Sequence, residues 1–428
     1  MNKNVNQLAA DNVRILAMSM VEKANSGHPG GAMGGADFIH ILFSEFLNFD
    51  PSDPVWINRD RFFLDPGHMS PMLYAELTMT GHFSVEDIKN FRQWGSVTPG
   101  HPEADHRRMI ENTSGPLGQG HTMAMGAAIA EKFLETRFGG LFSHKIYAFI
   151  SDGGIEEEIS QGTGRLAGHL GLNNFIMFYD SNDIQLSTET SVVTSEDTAA
   201  KYLAWGWKVI SINGNDQDAI RKALREANEE KEKPVLIIGK TKMGKGLVDE
   251  AGNSFEGKCS THGQPVTHAG ASFKKSVANL GEDPENTLVI FPEVKELYRE
   301  VLDNKKAAAA SWKKQKEAWA KENPDRNALL ESFYSGTLPD IDFSAIVQKP
   351  NDATRNASAL VLSVLADKVP NMIVSSADLA NSDKTDGFLK KTRPFKRGDF
   401  GGAFLQAGVS ELTMAATMNG MALHGGVI

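Results

Sequence analysis

The chain has 428 residues, 41% of them hydrophobic and 23% charged, with a formal net charge of −10. That length and balance fit a globular protein with room for two domains and proper cores, and the excess of acid gives no reason to expect a nucleic acid partner. A single cysteine, Cys259, excludes an intrachain disulfide and fits a reducing, cytoplasmic setting. The leading MNKNVNQLAADNVRIL lacks the apolar core of a signal peptide, and no run approaches the roughly 20 apolar residues of a membrane span.

In chain order, Val5, Leu8, Ala9, Val13, Leu16, Ala17 and Met20 make a helical stripe that runs into the tight turn Ser26-Gly27-His28-Pro29-Gly30. Arg61–Leu64 reads as a short strand, followed by Asp65-Pro66-Gly67-His68. His101 follows Thr98-Pro99-Gly100 in a loop. Gly115-Pro116-Leu117-Gly118-Gln119-Gly120 opens a helix from Thr122 to Phe138, and glycines ahead of a helix let backbone N–H groups approach an anion. It is not a P-loop, because no Lys-Ser/Thr follows the last glycine.

The centre of the chain is IYAFISDGGIEEEISQGTGRLAGHLGLNNFIMFYDSNDIQLS, residues 146–187. Ile146–Ile150 and Phe175–Tyr179 read as buried strands, with the helix Gln161–Leu170 as the crossover between them. Asp152-Gly153-Gly154 and Asp180-Ser181-Asn182-Asp183 then end two neighbouring parallel strands, where open sheets bind ligands. A carboxylate (Asp152), an amide oxygen (Asn182) and a nearby backbone carbonyl form an oxygen-only set of the kind Mg²⁺ prefers when it bridges to a diphosphate. Two ordinary polar turns in a β-α-β unit account for the same residues.

Further on, Trp207–Ile212 and Val235–Lys240 read as strands separated by the helix Asp216–Glu230, which continues the α/β alternation of a parallel sheet. Met243-Gly244-Lys245-Gly246 and Cys259–Pro265 belong to a long Gly-rich loop containing His262. Residues 303–335 are charged and Ala-rich with no wide apolar face, and read as an exposed connecting helix and linker. A second unit starts near Asp352, with a helix over Ala353–Ala366 and a strand over Met372–Ser375. The expected units are 1–310, a linker at 311–351, and 352–428. Glu411 lies in Ala407-Gly408-Val409-Ser410-Glu411-Leu412, where apolar neighbours would raise its pKa by desolvation. A helix first-turn glutamate is the ordinary alternative.

Asp152-Gly153 with Asn182 thirty residues later resembles the thiamine-diphosphate fingerprint. SGHPGGAMGGAD (26–37), TPGHPE (98–103), GPLGQG (115–120), STHGQP (260–265) and SSADLA (375–380) look like transketolase, in transketolase order and over essentially the whole chain. The resemblance implies a parallel-sheet α/β fold: a diphosphate domain followed by an incomplete pyrimidine domain. It implies transfer of a two-carbon ketol unit from a ketose phosphate to an aldose phosphate, with thiamine diphosphate and a divalent cation (Mg²⁺, or Ca²⁺ or Mn²⁺) as cofactors.

By the same resemblance, Asp152, Asn182 and the Ile184 carbonyl would hold the metal. His68, Gly153 and His262 would face the diphosphate, with Gly115 and Leu117 on the cofactor-side loop. His28, His101, His262, Arg355 and Ser382 would face the sugar phosphate. Glu411 would hydrogen-bond the aminopyrimidine ring, whose nitrogen then takes the thiazolium proton. Three departures stand out: Asp65-Pro66 replaces a usual Ser-Asn, Ser410 stands where arginine is usual, and Leu412 replaces a Phe or polar residue.

The resemblance also implies a homodimer with each site between two subunits. Only seventeen residues follow Glu411, and the closing His424-Gly425-Gly426-Val427-Ile428 reads as the opening of a buried strand. The expectation is therefore an N-terminal portion, either a fragment or one half of a split enzyme, that needs a separate C-terminal polypeptide for activity. A 1-deoxyxylulose-5-phosphate synthase-like enzyme and a non-catalytic cofactor-binding subunit are the alternatives.

Overall fold

The computed structural model describes residues 4–428. Its first unit is built on five parallel strands: β1 (Arg61–Leu64), β2 (Ile146–Ser151), β3 (Phe175–Ser181), β4 (Lys208–Asn213) and β5 (Val235–Lys240). They lie in the order β1-β2-β3-β5-β4. β2 and β3 are buried along their whole length, which is why their sequences are continuous apolar runs rather than alternating ones. Ile146 stands opposite Phe175 and Ser151 opposite Asp180, so both strands end at the same level.

Helices cover both faces. On one face lies α1 (Val5–Ala24), with α2 (Ser70–Met79) packed beside it. The expected stripe on α1 is too narrow a description, because Ala9 to Val21 are all buried. Arg14 is held there between Asp11 and Asp37, which compensates a charge that would otherwise be expensive to bury. On the other face lie α3 (Gln119–Phe138) and α4 (Glu158–Leu170), the β2–β3 crossover. The helix α5 (Gln217–Glu229) connects β4 and β5.

The exposed connecting helix expected within 303–335 is present, but it starts earlier and is fastened to the first unit at a few points. A single helix, α6 (Pro292–Glu322), runs through residue 310, and α7 (Pro324–Ser335) follows it. Val294, Tyr298 and Ala309 are buried. Trp312 and Trp319 stand edge-on to Phe142 at 5.8 and 4.8 Å, and Lys313 reaches Asp50 at 2.7 Å. Two indoles seven residues apart share a helix face, so this strap is fastened by two large anchors rather than a wide stripe. Irregular, exposed chain follows from Gly336 to Ala353.

The second unit contains α8 (Thr354–Lys368), the parallel pair β6 (Val374–Ser376) and β7 (Phe404–Gln406), and α9 (Glu411–His424). α9 docks on α3 of the first unit through two glycines. A Cβ on Gly126 would stand 2.0 Å from the Thr417 carbonyl oxygen, and one on Gly420 would stand 1.9 Å from that of Met123. The helices meet backbone to backbone, so Gly420→Ala should force them apart and lower stability by roughly 1–3 kcal/mol, the usual range for overpacking. Thermal unfolding measures it; an unchanged Tm would mean the seam yields without cost.

Candidate functional site

The loops that leave the carboxyl ends of β1, β2, β3 and β5 surround a cavity of about 690 Å³. Its wall carries His28, His68, His101, Gly115, Leu117, Asp152, Gly153, Asn182, Ile184 and His262. These residues are scattered over more than two hundred positions, and parallel strands ending at one level bring them together. A neighbouring cavity of about 850 Å³ shares only His101 with it and lies away from the strand ends.

Asp152 follows β2 directly and is 2% exposed. Its carboxylate accepts a 2.5 Å hydrogen bond from the Tyr179 hydroxyl and backbone N–H bonds from Asn182 (3.1 Å) and Asp183 (3.0 Å). Burial nevertheless pushes its pKa up to about 6, although these bonds favour the charged form. The Asn182 amide oxygen accepts from the Ile184 N–H at 3.0 Å, and its NH₂ donates to Asp180 at 2.9 Å. Asp180 is fully buried and also accepts from the Thr241 hydroxyl. The bend itself falls at Asp183, whose φ is +65°.

Asp152–Glu156 is a short helical turn capped by Ser151, and neither Gly153 nor Gly154 needs a left-handed backbone. Gly154 is required by proximity, since a Cβ there would stand 2.6 Å from an Asp65 carboxylate oxygen. Asp65 also answers the question raised by GPLGQG. Its carboxylate accepts from the Gly118 N–H (3.1 Å), the His121 N–H (3.2 Å) and the His121 ring (2.9 Å). The anion at the N-terminus of α3 is therefore this side chain, and the expected external anion site there is filled from within. Gly115 and Leu117 still face the cavity.

Four histidines form the opposite wall. The rings of His28 and His68 are 5.1 Å apart, those of His28 and His262 are 5.8 Å apart, and those of His68 and His262 are 5.2 Å apart. His101 lies 6.5 Å from His28. Burial, helped by His262, Arg92 and His101, lowers His28 to about 4. Burial also lowers His68, His262 and His101, the last with help from Arg92. At neutral pH these rings are uncharged, and each offers one donor and one acceptor.

His28 projects into the wall because Asn25 (φ +52°) ends α1 and Gly27 (φ +140°) turns the chain. A Cβ on Gly27 would come within 2.9 Å of Val21. Arg92 backs this wall, with Nη1 3.3 Å from the Ser26 hydroxyl and its guanidinium packed on Gly100.

The donor chemistry suits a cation bridged to an anion. Asp152, Asn182 and the backbone near Ile184 are oxygen donors at one end of the cavity. At the other end, the ring Nδ1 atoms of His28 and His262 are buried without a protein partner. Among the described residues, no group of three or more His, Cys, Asp or Glu side chains is arranged for a metal, so any cation here relies on amide and backbone oxygen as well.

Three expected site residues lie elsewhere. Arg355 and Ser382 are exposed and do not line the cavity. Glu411 is the first residue of α9 and is also exposed, with Val409 77% and Leu412 63% exposed beside it. The apolar enclosure expected around Glu411 is not formed by this chain, because those neighbours point outward. Sequence reasoning also missed Tyr179, which holds the Asp152 carboxylate, and gave no role to Asp180, which orients the Asn182 amide. The only sequence signal for the latter was the Asp-x-Asn spacing.

Residues 5–339 match the family model "Transketolase, thiamine diphosphate binding domain", and residues 351–428 match "Transketolase, pyrimidine binding domain". The chain is 40% identical to a transketolase of Halalkalibacterium halodurans over 438 aligned residues, covering 100% of this chain and 64% of the relative. Its fold superposes on the transketolase of Leishmania mexicana with a TM-score of 0.93 at 33% identity, covering 100% of this chain and 64% of the other. A Pichia stipitis transketolase solved with sedoheptulose 7-phosphate gives 0.91 at 35% identity, with 99% and 63% coverage. The chain thus spans a little under two thirds of the length of these relatives.

Proposed function

The chain belongs to the transketolase family, and from that premise we propose that it binds thiamine diphosphate with a divalent cation and takes part in ketol transfer between sugar phosphates. The observation that carries this reading is the single cavity that gathers Asp152, Asn182, Ile184 and the four histidines at the strand ends. Asp152, the Asn182 amide oxygen and the Ile184 carbonyl would hold Mg²⁺ or a similar ion. His68, His262 and the Gly153 backbone would face the diphosphate, and His28 and His101 would face the sugar. When bound, the cofactor supplies the electron sink for breaking the carbon–carbon bond. The chain's own task is to orient it, hold neutral donors against the substrate oxygens and keep water out.

Arg355, Ser382 and Glu411 lie outside the cavity of their own chain. Their exposure, and the outward apolar side chains of Val409 and Leu412, support a homodimer in which one copy's second unit faces the other copy's cavity. Among the described residues no helix is long and apolar enough to cross a membrane. A cytoplasmic enzyme acting on soluble sugar phosphates is the setting we infer. The Pichia stipitis relative with its bound sedoheptulose phosphate supports that substrate class.

Because the chain spans about 64% of its relatives, we expect ketol transfer from xylulose 5-phosphate to ribose 5-phosphate only with a polypeptide supplying the remaining part. The assay is run with the chain alone and with that complement. Absence of transfer in both would overturn the activity, and full activity alone would overturn the need for a complement.

The pH dependence of binding follows from Asp152. It must be ionised to hold the cation, and its pKa is about 6. Cation-dependent cofactor affinity should be full above pH 7 and fall about tenfold per unit below pH 6. Charging His68 and His262 would favour the diphosphate and oppose this, but burial holds both below the ordinary histidine value. Calorimetry from pH 5 to 8 measures the profile; a flat one would place the cation on groups other than Asp152.

A further inference from the structure

The backbone that leads into Glu411 is tied at its ends, by the Ala407 N–H to the Ser376 carbonyl at 3.1 Å and by the Met414 N–H to the Ser410 carbonyl at 2.9 Å, and the turn between them needs a further hold. Ala407-Gly408-Val409-Ser410 joins β7 to α9, and Gly408 turns it with a φ of +72°. Val409 is 77% exposed. Ser410 occupies the N-cap position without capping: its φ is −163°, and its side chain accepts no first-turn N–H. Its hydroxyl donates backward instead, to the Ala407 carbonyl at 3.1 Å.

Arg165, on α4 of the first unit, does the holding. Its Nη2 donates to the Ala407 carbonyl at 3.1 Å and lies 3.4 Å from the Ser410 hydroxyl oxygen. Its two terminal nitrogens are 3.6 and 3.7 Å from where a Cβ on Gly408 would stand, so the guanidinium lies over the turn. A planar fork of donors can engage a carbonyl and a hydroxyl together, which a lysine cannot do with the same geometry. The same helix seats the first turn of α9. A Cβ on Gly162 would stand 2.2 Å from the Thr413 hydroxyl oxygen, and that hydroxyl donates to the Ile159 carbonyl at 3.4 Å.

We propose that Arg165 is the positioning residue for Glu411, setting the entry of α9 and hence the direction in which the Glu411 carboxylate leaves the chain. The proposal rests on the reading of Glu411 as the group that meets the aminopyrimidine ring. Ser410 lies within reach of this guanidinium, so an arginine placed at 410 would supply one to the loop from its own side. Moving the guanidinium there is therefore a test as well as a rescue.

The experiment compares the wild type, Arg165→Ser, the double variant Arg165→Ser/Ser410→Arg, and Glu411→Gln. In the free chain, amide hydrogen exchange over residues 407–414 should rise about tenfold in Arg165→Ser, the effect of losing one charge-assisted hydrogen bond. It should return in the double variant. With thiamine diphosphate, Mg²⁺ and the complementing polypeptide present, deuterium exchange at the thiazolium carbon should slow by about 10- to 100-fold in Arg165→Ser, the effect of a misplaced catalytic group. Cofactor affinity should hold within about twofold, since the group is aimed rather than removed, and the double variant should recover the exchange rate. Unchanged amide exchange, a loosened loop with an unchanged thiazolium rate, or a double variant as slow as the single one would each overturn the proposal. Glu411→Gln separates the two readings. If it exchanges at the wild-type rate, the role of Glu411 itself falls. If it is slow while Arg165→Ser matches wild type, only the positioning role falls.

Discussion

Asp152→Ala should remove the Mg²⁺ dependence of thiamine diphosphate binding altogether. It deletes the only charged protein ligand in the proposed oxygen set, and we expect the affinity gained on adding Mg²⁺ to drop by at least about 10²-fold, beyond the 10–100-fold typical of losing a mere outer-shell partner. The substitution also strands three donors, the Tyr179 hydroxyl and the Asn182 and Asp183 N–H groups, which all aim at this carboxylate. Loop disorder could imitate metal loss, so Asp152→Asn is the necessary companion. It keeps an acceptor for the two backbone N–H groups while removing the charge. Both variants should bind the cofactor equally with and without Mg²⁺ in a calorimetric titration. If either retains the wild-type Mg²⁺ effect, the cation lies elsewhere.

Glu411→Gln should leave cofactor affinity nearly intact and slow hydrogen–deuterium exchange at the thiazolium carbon by about 10²–10⁴-fold, the range for losing a positioned acid–base group. Glutamine can still touch the ring but cannot serve as its proton partner. The location of Glu411 makes this a demanding prediction. It is exposed at the N-terminus of α9 and does not line its own chain's cavity. In the proposed homodimer the effect requires two copies to meet, so the loss should track dimer concentration. An exchange rate equal to wild type at saturating concentration would assign the activation to another group.

The strands that carry the site were legible because full burial on both faces writes continuous apolar runs, as in Ile146–Ile150 and Phe175–Tyr179, and the polar residues that follow such runs fall on one rim. Asp152 and Asn182 could be placed on that rim from the strand pattern, whereas the loop histidines were drawn to the site only by the resemblance. What could not be read depended on contacts between distant segments. Asp65 fills the N-terminus of α3 because β1 ends beside it, which no local pattern records. Arg165 reaches Ser410 across 245 positions. The apolar neighbours of Glu411 suggested an enclosed carboxyl, but composition does not say which way Val409 and Leu412 point. The strap at 292–335 was half legible: Trp312 and Trp319 are seven apart and so share a face, a signal that the surrounding lysines obscured.

In the proposed site the cation and diphosphate sit between Asp152–Asn182 and the histidine wall. The most direct measurement is a crystal structure of the chain with thiamine diphosphate and Mn²⁺, with the metal located by anomalous scattering. One peak is expected about 2.1 Å from an Asp152 carboxylate oxygen, the Asn182 amide oxygen and the Ile184 carbonyl, with the remaining positions taken by diphosphate oxygen and water. A metal bound instead at Glu156–Glu158, or a diphosphate seated away from His68 and His262, would contradict it.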